Sequence, residues 1–211
     1  FYIAIYFVGF GFSQGAQIMI ARRNGEKNYG QIGSIFNNAL VFNFLIATII
    51  FTLSLFFIPD LMRYLVHSDR IYQASIEFLN WRIYGFFFSF LNVTFRAFFV
   101  GITRTKVLTV SAVITALTNI ILDYLLIFGK FGFPKWGIEG AAIASTAAEA
   151  TTLIYFIIVT LKQDDKHIFN LFKFNNIDFQ TVGKILSLSV FIMFQYFISI
   201  STWFMFFIFI E

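Results

Sequence analysis

The chain has 211 residues, 59% of them hydrophobic, 21% aromatic and only 12% charged, with a mean hydropathy of +0.80. Soluble domains carry about 25% charged residues, so this composition excludes an ordinary soluble domain and points to a membrane protein. The lack of cysteine excludes disulfides, thiolate catalysis and zinc thiolate sites, and the net charge of +4 matters less than where the charges sit.

Phe1 to Ala21 is a first apolar segment, interrupted by Gly9, Gly11 and Gly15. Gly11 and Gly15 form a GxxxG pair suited to close helix contact; no strand precedes it and its spacing is wrong for a dinucleotide fingerprint. A basic turn, Arg22 to Lys27, leads to a second segment over roughly 32–58, which Pro59-Asp60 is predicted to end. A third runs from about Ile71 to Val100 and closes at Gly101–Lys106. Val107 to Phe128 is a fourth, a 22-residue apolar run long enough to span a bilayer. A Gly/Pro turn (Gly129 to Gly137) then opens a fifth, over about 138–161, whose start is Gly140-Ala-Ala-Ile-Ala-Ser145. Lys162 to Gln180 is a polar, mixed-charge connection, and the sixth segment covers about 182–210. Both ends of the chain fall inside apolar runs, so the sequence reads as a piece of a longer protein.

The loops alternate in Lys/Arg content. Those at 22–27, 101–106 and 162–184 hold nine (Arg22, Arg23, Lys27, Arg104, Lys106, Lys162, Lys166, Lys173 and Lys184), against four in the opposite loops (Arg63, Arg70, Lys130 and Lys135). The richer set is expected in the cytoplasm, which makes the chain an integral, multi-pass protein with Phe1 on the outer side. A bacterial plasma membrane is the expected location.

Ionisable groups inside spans are costly and mark candidate functional sites. Asp123 is the only acidic residue of its span, and Asn119 lies one turn before it on the same helix face. Asp123 falls about five residues, or ~8 Å, below the outer end of its helix, and Ser145 lies at comparable depth on the returning helix. A carboxylate, an amide, a hydroxyl and nearby carbonyls are hard oxygen ligands, suited to Na⁺ or a proton. The alternative is a polar clamp that only joins two helices. Arg82 and Glu149 share a depth near the midplane, where pairing is the natural solution, and they read as a structural ion pair. Arg96 lies close enough to the cytoplasmic loop to snorkel, and Asn92, one turn earlier, is a candidate lining residue.

Other signals carry less. Asn92-Val-Thr94 matches a glycosylation sequon inside a span, where no glycan is added. His67 and His167 are isolated and loop-placed, without the partners a metal site needs. The sequence contains no Walker A motif and no catalytic constellation. The basic loops face lipid headgroups, and nothing points to nucleic acid.

The run from Asn119-Ile-Ile-Leu-Asp123 through Gly132-Phe-Pro to Gly137-Ile-Glu-Gly-Ala-Ala-Ile-Ala-Ser145 resembles the multidrug and toxic compound extrusion (MATE) family. So do Gly15-Ala-Gln with Ala21-Arg-Arg-Asn-Gly-Glu-Lys27, and Phe95-Arg-Ala-Phe-Phe-Val-Gly-Ile-Thr-Arg-Thr-Lys106. The match in order and spacing covers essentially the whole chain. It implies an all-α polytopic membrane protein of six transmembrane segments, helices two to seven of twelve. On that reading residues 1–161 are most of one six-helix lobe, 162–181 a cytoplasmic linker and 182–211 the first helix of the second lobe. The family's cation site implies roles for Asn119 and Asp123, and for the Ser145 hydroxyl and the Ala141 carbonyl. The family's substrate cavity implies a lining role for Asn92, with Gln195 on the sixth segment as a second candidate. The implied activity is no enzyme's. It is antiport of amphipathic or cationic organic compounds against Na⁺ or H⁺, with no organic cofactor and with membrane lipid as surroundings. A lipid-linked oligosaccharide flippase and a non-transporting structural protein are the rivals. Two departures stand out. The first-helix Asp of the family site lies outside the sequence, and Ser189 stands where many members have Pro. Glu211 gives no secure match to a second-lobe carboxylate.

Overall fold

The computed structural model describes residues 2–66, 68–162, 166–174 and 177–210; His67, Glu211 and the His167 side chain lie outside what it describes. The regular elements among the described residues are all helices: α1 (Tyr2–Gly25), α2 (Tyr29–Leu65), α3 (Asp69–Arg82), α4 (Gly85–Gly101), α5 (Lys106–Phe128), α6 (Ile138–Lys162), α7 (Lys166–Phe169) and α8 (Phe179–Ile210). By length and composition Tyr29–Tyr64, Lys106–Phe128, Ile138–Lys162 and Phe179–Ser199 can each cross a membrane. At 1.5 Å per residue even 21 residues reach about 30 Å. α3 and α4 form one further broken span, bent by 52°. α1 has 24 residues, with Ser13, Gln14, Gln17 and its glycines diluting the apolar run.

Two expectations give way. α2 does not stop at Pro59 but continues to Leu65 with the proline inside it. Proline deletes one backbone bond, yet Ile58 (4% exposed) and Met62 (9%) are buried one turn apart on either side of it. Their packing holds the last turns, and the Val66 N–H closes on the Met62 carbonyl at 2.9 Å. The third segment is not one helix either. It breaks at Ile83–Tyr84, where Gly85 restarts the chain and the Phe86 N–H turns back to Ile83 O at 3.1 Å.

The basic turns end their helices by the same device. After α1, Lys27 (φ 57°) takes the left-handed conformation; Asn28 N–H donates to Arg23 O and Lys27 N–H to Asn24 O. After α4, Thr103 (φ 63°) does likewise, with Arg104 N–H on Phe99 O and Thr103 N–H on Val100 O. Both are the paired bonds of a Schellman ending without its usual glycine.

The chain divides into two compact units. The first comprises residues 1–44, 93–105 and 162–211. Here α1 packs along α8, and a Cβ at Gly15 would strike the Ser189 side chain and the Ile185 carbonyl. A phenylalanine core forms around Phe36, with ring centroids 5.2 Å from Phe95 and 5.0 Å from Phe98. Within it Asn43 is fully buried and donates to Ser13 Oγ (2.9 Å) and Thr94 Oγ1 (2.6 Å), so one amide ties α1, α2 and α4. The polar connection is docked. Asn37 Nδ2 donates to Lys173 O (3.1 Å) and Asn170 O (3.3 Å), Phe172 N–H donates to Asn37 Oδ1 (2.9 Å) and Asp178 N–H to Asn38 Oδ1 (2.8 Å). Phe169 and Leu171 are buried beside this clamp.

The second unit comprises 45–92 and 106–161. Phe51 packs on Tyr84 and Phe87, each at 5.2 Å between centroids. α5 and α6 form a close hairpin: Trp136 N–H donates to Leu126 O (2.9 Å), and a Cβ on Gly140 would come within 2.8 Å of the Leu126 carbonyl. α5 carries a row of exposed apolar residues at helical spacing (Val113, Leu117, Ile120, Ile121, Tyr124), the kind of face that suits acyl chains.

Candidate functional site

The second unit holds most of the polar residues that the sequence singled out. Small residues on α6 bring it against α5: Gly140, Ala142, Ala144 and Ala148 are all buried. Such side chains let helix backbones approach closely in a membrane. On this close seam Asn119 Nδ2 donates to Ser145 Oγ at 3.4 Å, a long contact. One turn earlier on α5, the Thr115 and Thr152 hydroxyls meet at 2.6 Å. Thr115, Asn119 and Asp123 therefore follow one another at four-residue spacing along one face. Sequence reasoning missed Thr115 and Thr152, although the four-residue spacing was there to be read.

Asp123 ends this ladder, and its Oδ1 is buried with no hydrogen-bond partner. Ala141 lies one turn before Ser145 on α6, its N–H bonded to Gly137 O at 3.3 Å. Among the described residues no three His, Cys, Asp or Glu side chains gather. The donors at hand are one carboxylate with neutral amide, hydroxyl and carbonyl oxygens, a set that suits a hard, weakly charged cation or a proton.

A second polar cluster converges on Glu149. Arg82 donates through both terminal nitrogens, Nη1 to Oε2 at 3.0 Å and Nη2 to Oε1 at 2.5 Å. Asn92 Nδ2 donates to the Glu149 backbone carbonyl at 2.9 Å, and Asn92 Oδ1 is buried without a partner. The sequence treated Asn92 as a lining residue and Arg82–Glu149 as a separate pair; the structure joins all three at Glu149. Gln195 is exposed on α8, in the first unit.

A family model described as MatE matches residues 1–125, more than half of the chain. A probable multidrug resistance protein, YoeA of Bacillus subtilis, is 26% identical over 163 residues, 77% of this chain and 35% of that protein. Among solved structures, an inward-facing multidrug resistance MATE family transporter of the MOP superfamily superposes with a TM-score of 0.80 at 20% identity. It covers 90% of this chain, which covers 42% of it. An outward-facing conformation of such a transporter gives a TM-score of 0.79 at 19% identity, with 90% and 41% covered. The chain thus spans about a third of the length of curated relatives such as YoeA, and what it resembles are transporters rather than enzymes. With its all-helical, multi-pass architecture and this match, the chain belongs to the MatE family of multidrug and toxic compound extrusion transporters, proteins of the plasma membrane in bacteria.

Proposed function

We propose that this chain is part of a secondary antiporter that exports amphipathic or cationic organic compounds in exchange for Na⁺ or H⁺ by alternating access. In this reading residues 1–161 belong to the first lobe, 162–181 connect the lobes in the cytoplasm and 182–211 begin the second lobe. The observation that carries the proposal is the buried, unpartnered Asp123 Oδ1, one turn from an amide that reaches Ser145. An ionised carboxylate in an apolar span costs about 3 kcal/mol. A cation or proton in the place of the missing hydrogen-bond partner offsets that cost.

The coupling then follows from differential binding. A site loaded from the outer side and closed around its ion favours one arrangement of the lobes, and substrate favours another. Neither ligand needs to touch the other, and their mutual effect is reciprocal. The flippase alternative needs unneutralised cations in the spans for a pyrophosphate, and Arg82 is already held by both oxygens of Glu149.

The test uses the full-length protein in proteoliposomes with an imposed Na⁺ or H⁺ gradient. Asp123→Asn keeps the shape and removes the charge, so gradient-driven export should vanish while membrane insertion is unchanged. Asn119→Ala and Ser145→Ala each remove one neutral ligand and should weaken ion dependence less. Full-rate, ion-stimulated export by Asp123→Asn would reduce the pair to a packing clamp and refute the proposal.

A further inference from the structure

Two open cavities in the first unit meet where the basic ends of α1 and α8 come together. One, about 370 Å³, is lined by Met19, Arg22, Arg23, Lys184, Ser187 and Leu188. The other, about 330 Å³, shares Met19, Arg23 and Lys184 and has Asp178 in its lining. Nothing in the transport cycle proposed above uses them.

Their charge does not balance. Arg22 and Arg23 share a single carboxylate, Glu26, at 2.9 and 2.5 Å. Asp178 is committed to the start of α8, where Oδ1 accepts from Gln180 N–H and Oδ2 from the N–H and hydroxyl of Thr181. Those bonds leave its charge in place, and Lys184 lies close enough to feel it, so the three cations of the first cavity are set against Glu26 and, from the neighbouring cavity, Asp178, with one positive charge in excess. The apolar lining follows a matching order. Met19 lies one turn before Arg22 and Arg23 on α1, and Leu188 one turn after Lys184 on α8. Each wall therefore presents a cation at the helix end and an apolar side chain one turn toward the membrane interior.

That layering is the layering of a phospholipid at the interface, with phosphate outermost and acyl carbons beneath. Basic pockets between helices on the cytoplasmic side suit anionic headgroups. We propose that this cavity binds the phosphodiester of an anionic membrane lipid, with Arg22, Arg23 and Lys184 around the phosphate and Met19 and Leu188 against the first acyl carbons. The bound anion offsets the excess positive charge at the two helix ends and favours the arrangement in which α1 and α8 meet. The proposal rests on the cytoplasmic placement of these ends. With α1 in the first lobe and α8 in the second, as proposed above, the lipid becomes a strap between lobes.

The experiment takes full-length transporter, stripped of lipid in a neutral detergent, and titrates it with phosphatidylglycerol, phosphatidylcholine or inorganic phosphate. Thermal unfolding and native mass spectrometry read the binding. Phosphatidylglycerol should raise the Tm and stay bound, while phosphatidylcholine and inorganic phosphate should do neither. Each cation near an anionic headgroup contributes about 1 kcal/mol, so Arg23→Gln with Lys184→Gln should weaken phosphatidylglycerol about thirtyfold. Lys106→Gln, a basic residue outside both cavities, should leave it unchanged. An equal phosphatidylglycerol response in the double variant overturns the site, and equal stabilisation by inorganic phosphate overturns the lipid assignment. A further measurement needs no variant. Raising the salt from about 0.05 to 0.5 M should weaken retention by the wild-type protein, and salt-independent retention counts against the assignment. None of these readouts depends on transport, so they stand apart from the Asp123→Asn experiment.

Discussion

The Arg82–Glu149 pair makes a quantitative prediction because both partners are held and both are shielded. The two side chains are 11% and 19% exposed, and the guanidinium meets both carboxylate oxygens. Asn92 also fixes the Glu149 backbone from α4. Unit charges about 4 Å apart attract by about 4 kcal/mol at an effective dielectric near 20. Desolvating both ions consumes most of that, so the pair as a whole adds little net stability. Breaking it is a different matter. Glu149→Gln leaves a shielded guanidinium without its counter-charge and should cost about 3–5 kcal/mol, as should Arg82→Met. The double replacement Arg82→Met with Glu149→Leu removes both ions and should cost far less than either single change. The reversed pair, Arg82→Glu with Glu149→Arg, should recover part of the loss. Thermal unfolding of the purified full-length transporter, arranged as a double-mutant cycle, isolates the coupling energy. Additive single and double costs, or single costs below about 1 kcal/mol, would mean that the two charges are independently solvated, and the reasoning fails.

Two further predictions concern the docked connection. Asn37→Ala removes three hydrogen bonds to the loop at once and should loosen it by about 1–3 kcal/mol, read as faster hydrogen exchange or proteolysis across residues 166–174. Protection unchanged from wild type would show that burial of Phe169 and Leu171 holds the loop by itself. The Asp178 carboxyl is held below its usual value, first by the Thr181 hydroxyl and then by the Gln180 N–H. A depressed folded pKa contributes stability that is present above the unfolded value, near 3.8, and is lost as pH falls through the lower folded value. Amide protection at Gln180 and Thr181 should therefore be flat from neutral pH down to about 4 and fall only below it. Loss of protection already between about pH 6 and 5 would assign the cap to another group.

Charge and hydropathy were legible in the sequence, and most of what they signalled lies together. Asp123, Arg82 and Glu149 stood out because a charge in an apolar run is expensive, and expense is visible in composition. Asn119, Asn92 and Ser145 could be picked out beside such charges, while other neutral amides and hydroxyls were silent. Asn43 is fully buried between Ser13 and Thr94, yet in a hydropathy profile it is one polar residue in a long apolar segment. Thr115 and Thr152 pass for ordinary helix residues until α5 and α6 bring their hydroxyls together. The connection after α6 reads in the sequence as a polar, mixed-charge linker. What anchors it is Asn37 and Asn38, more than 130 residues earlier. The expected stop at Pro59 and the expected single segment over about 71–100 both gave way. Buried Ile58 and Met62 carry α2 through its proline, while the apolar run around Gly85 hides a real break.

Ser189 shows how a departure from a family pattern acquires a physical role. Proline at this position would lack an N–H and strip one rung from the helix. Serine keeps the rung, and α8 runs as one helix from Phe179 to Ile210. Its hydroxyl, fully buried, lies 2.8 Å from Ile185 O and 3.1 Å from Phe12 O, so its single proton can be given within α8 or across to α1. Gly15 is what makes that second choice geometrically available, since a Cβ there would occupy the space of the serine side chain. The glycine on α1 and the serine on α8 are thus two halves of one contact, separated by 174 positions. A hydroxyl with two acceptors loses little when the neighbouring helix moves, because the bond inside α8 remains. In the alternating-access cycle proposed above, where α1 and α8 belong to different lobes, such a group serves the seam better than one whose only partner lies across the gap.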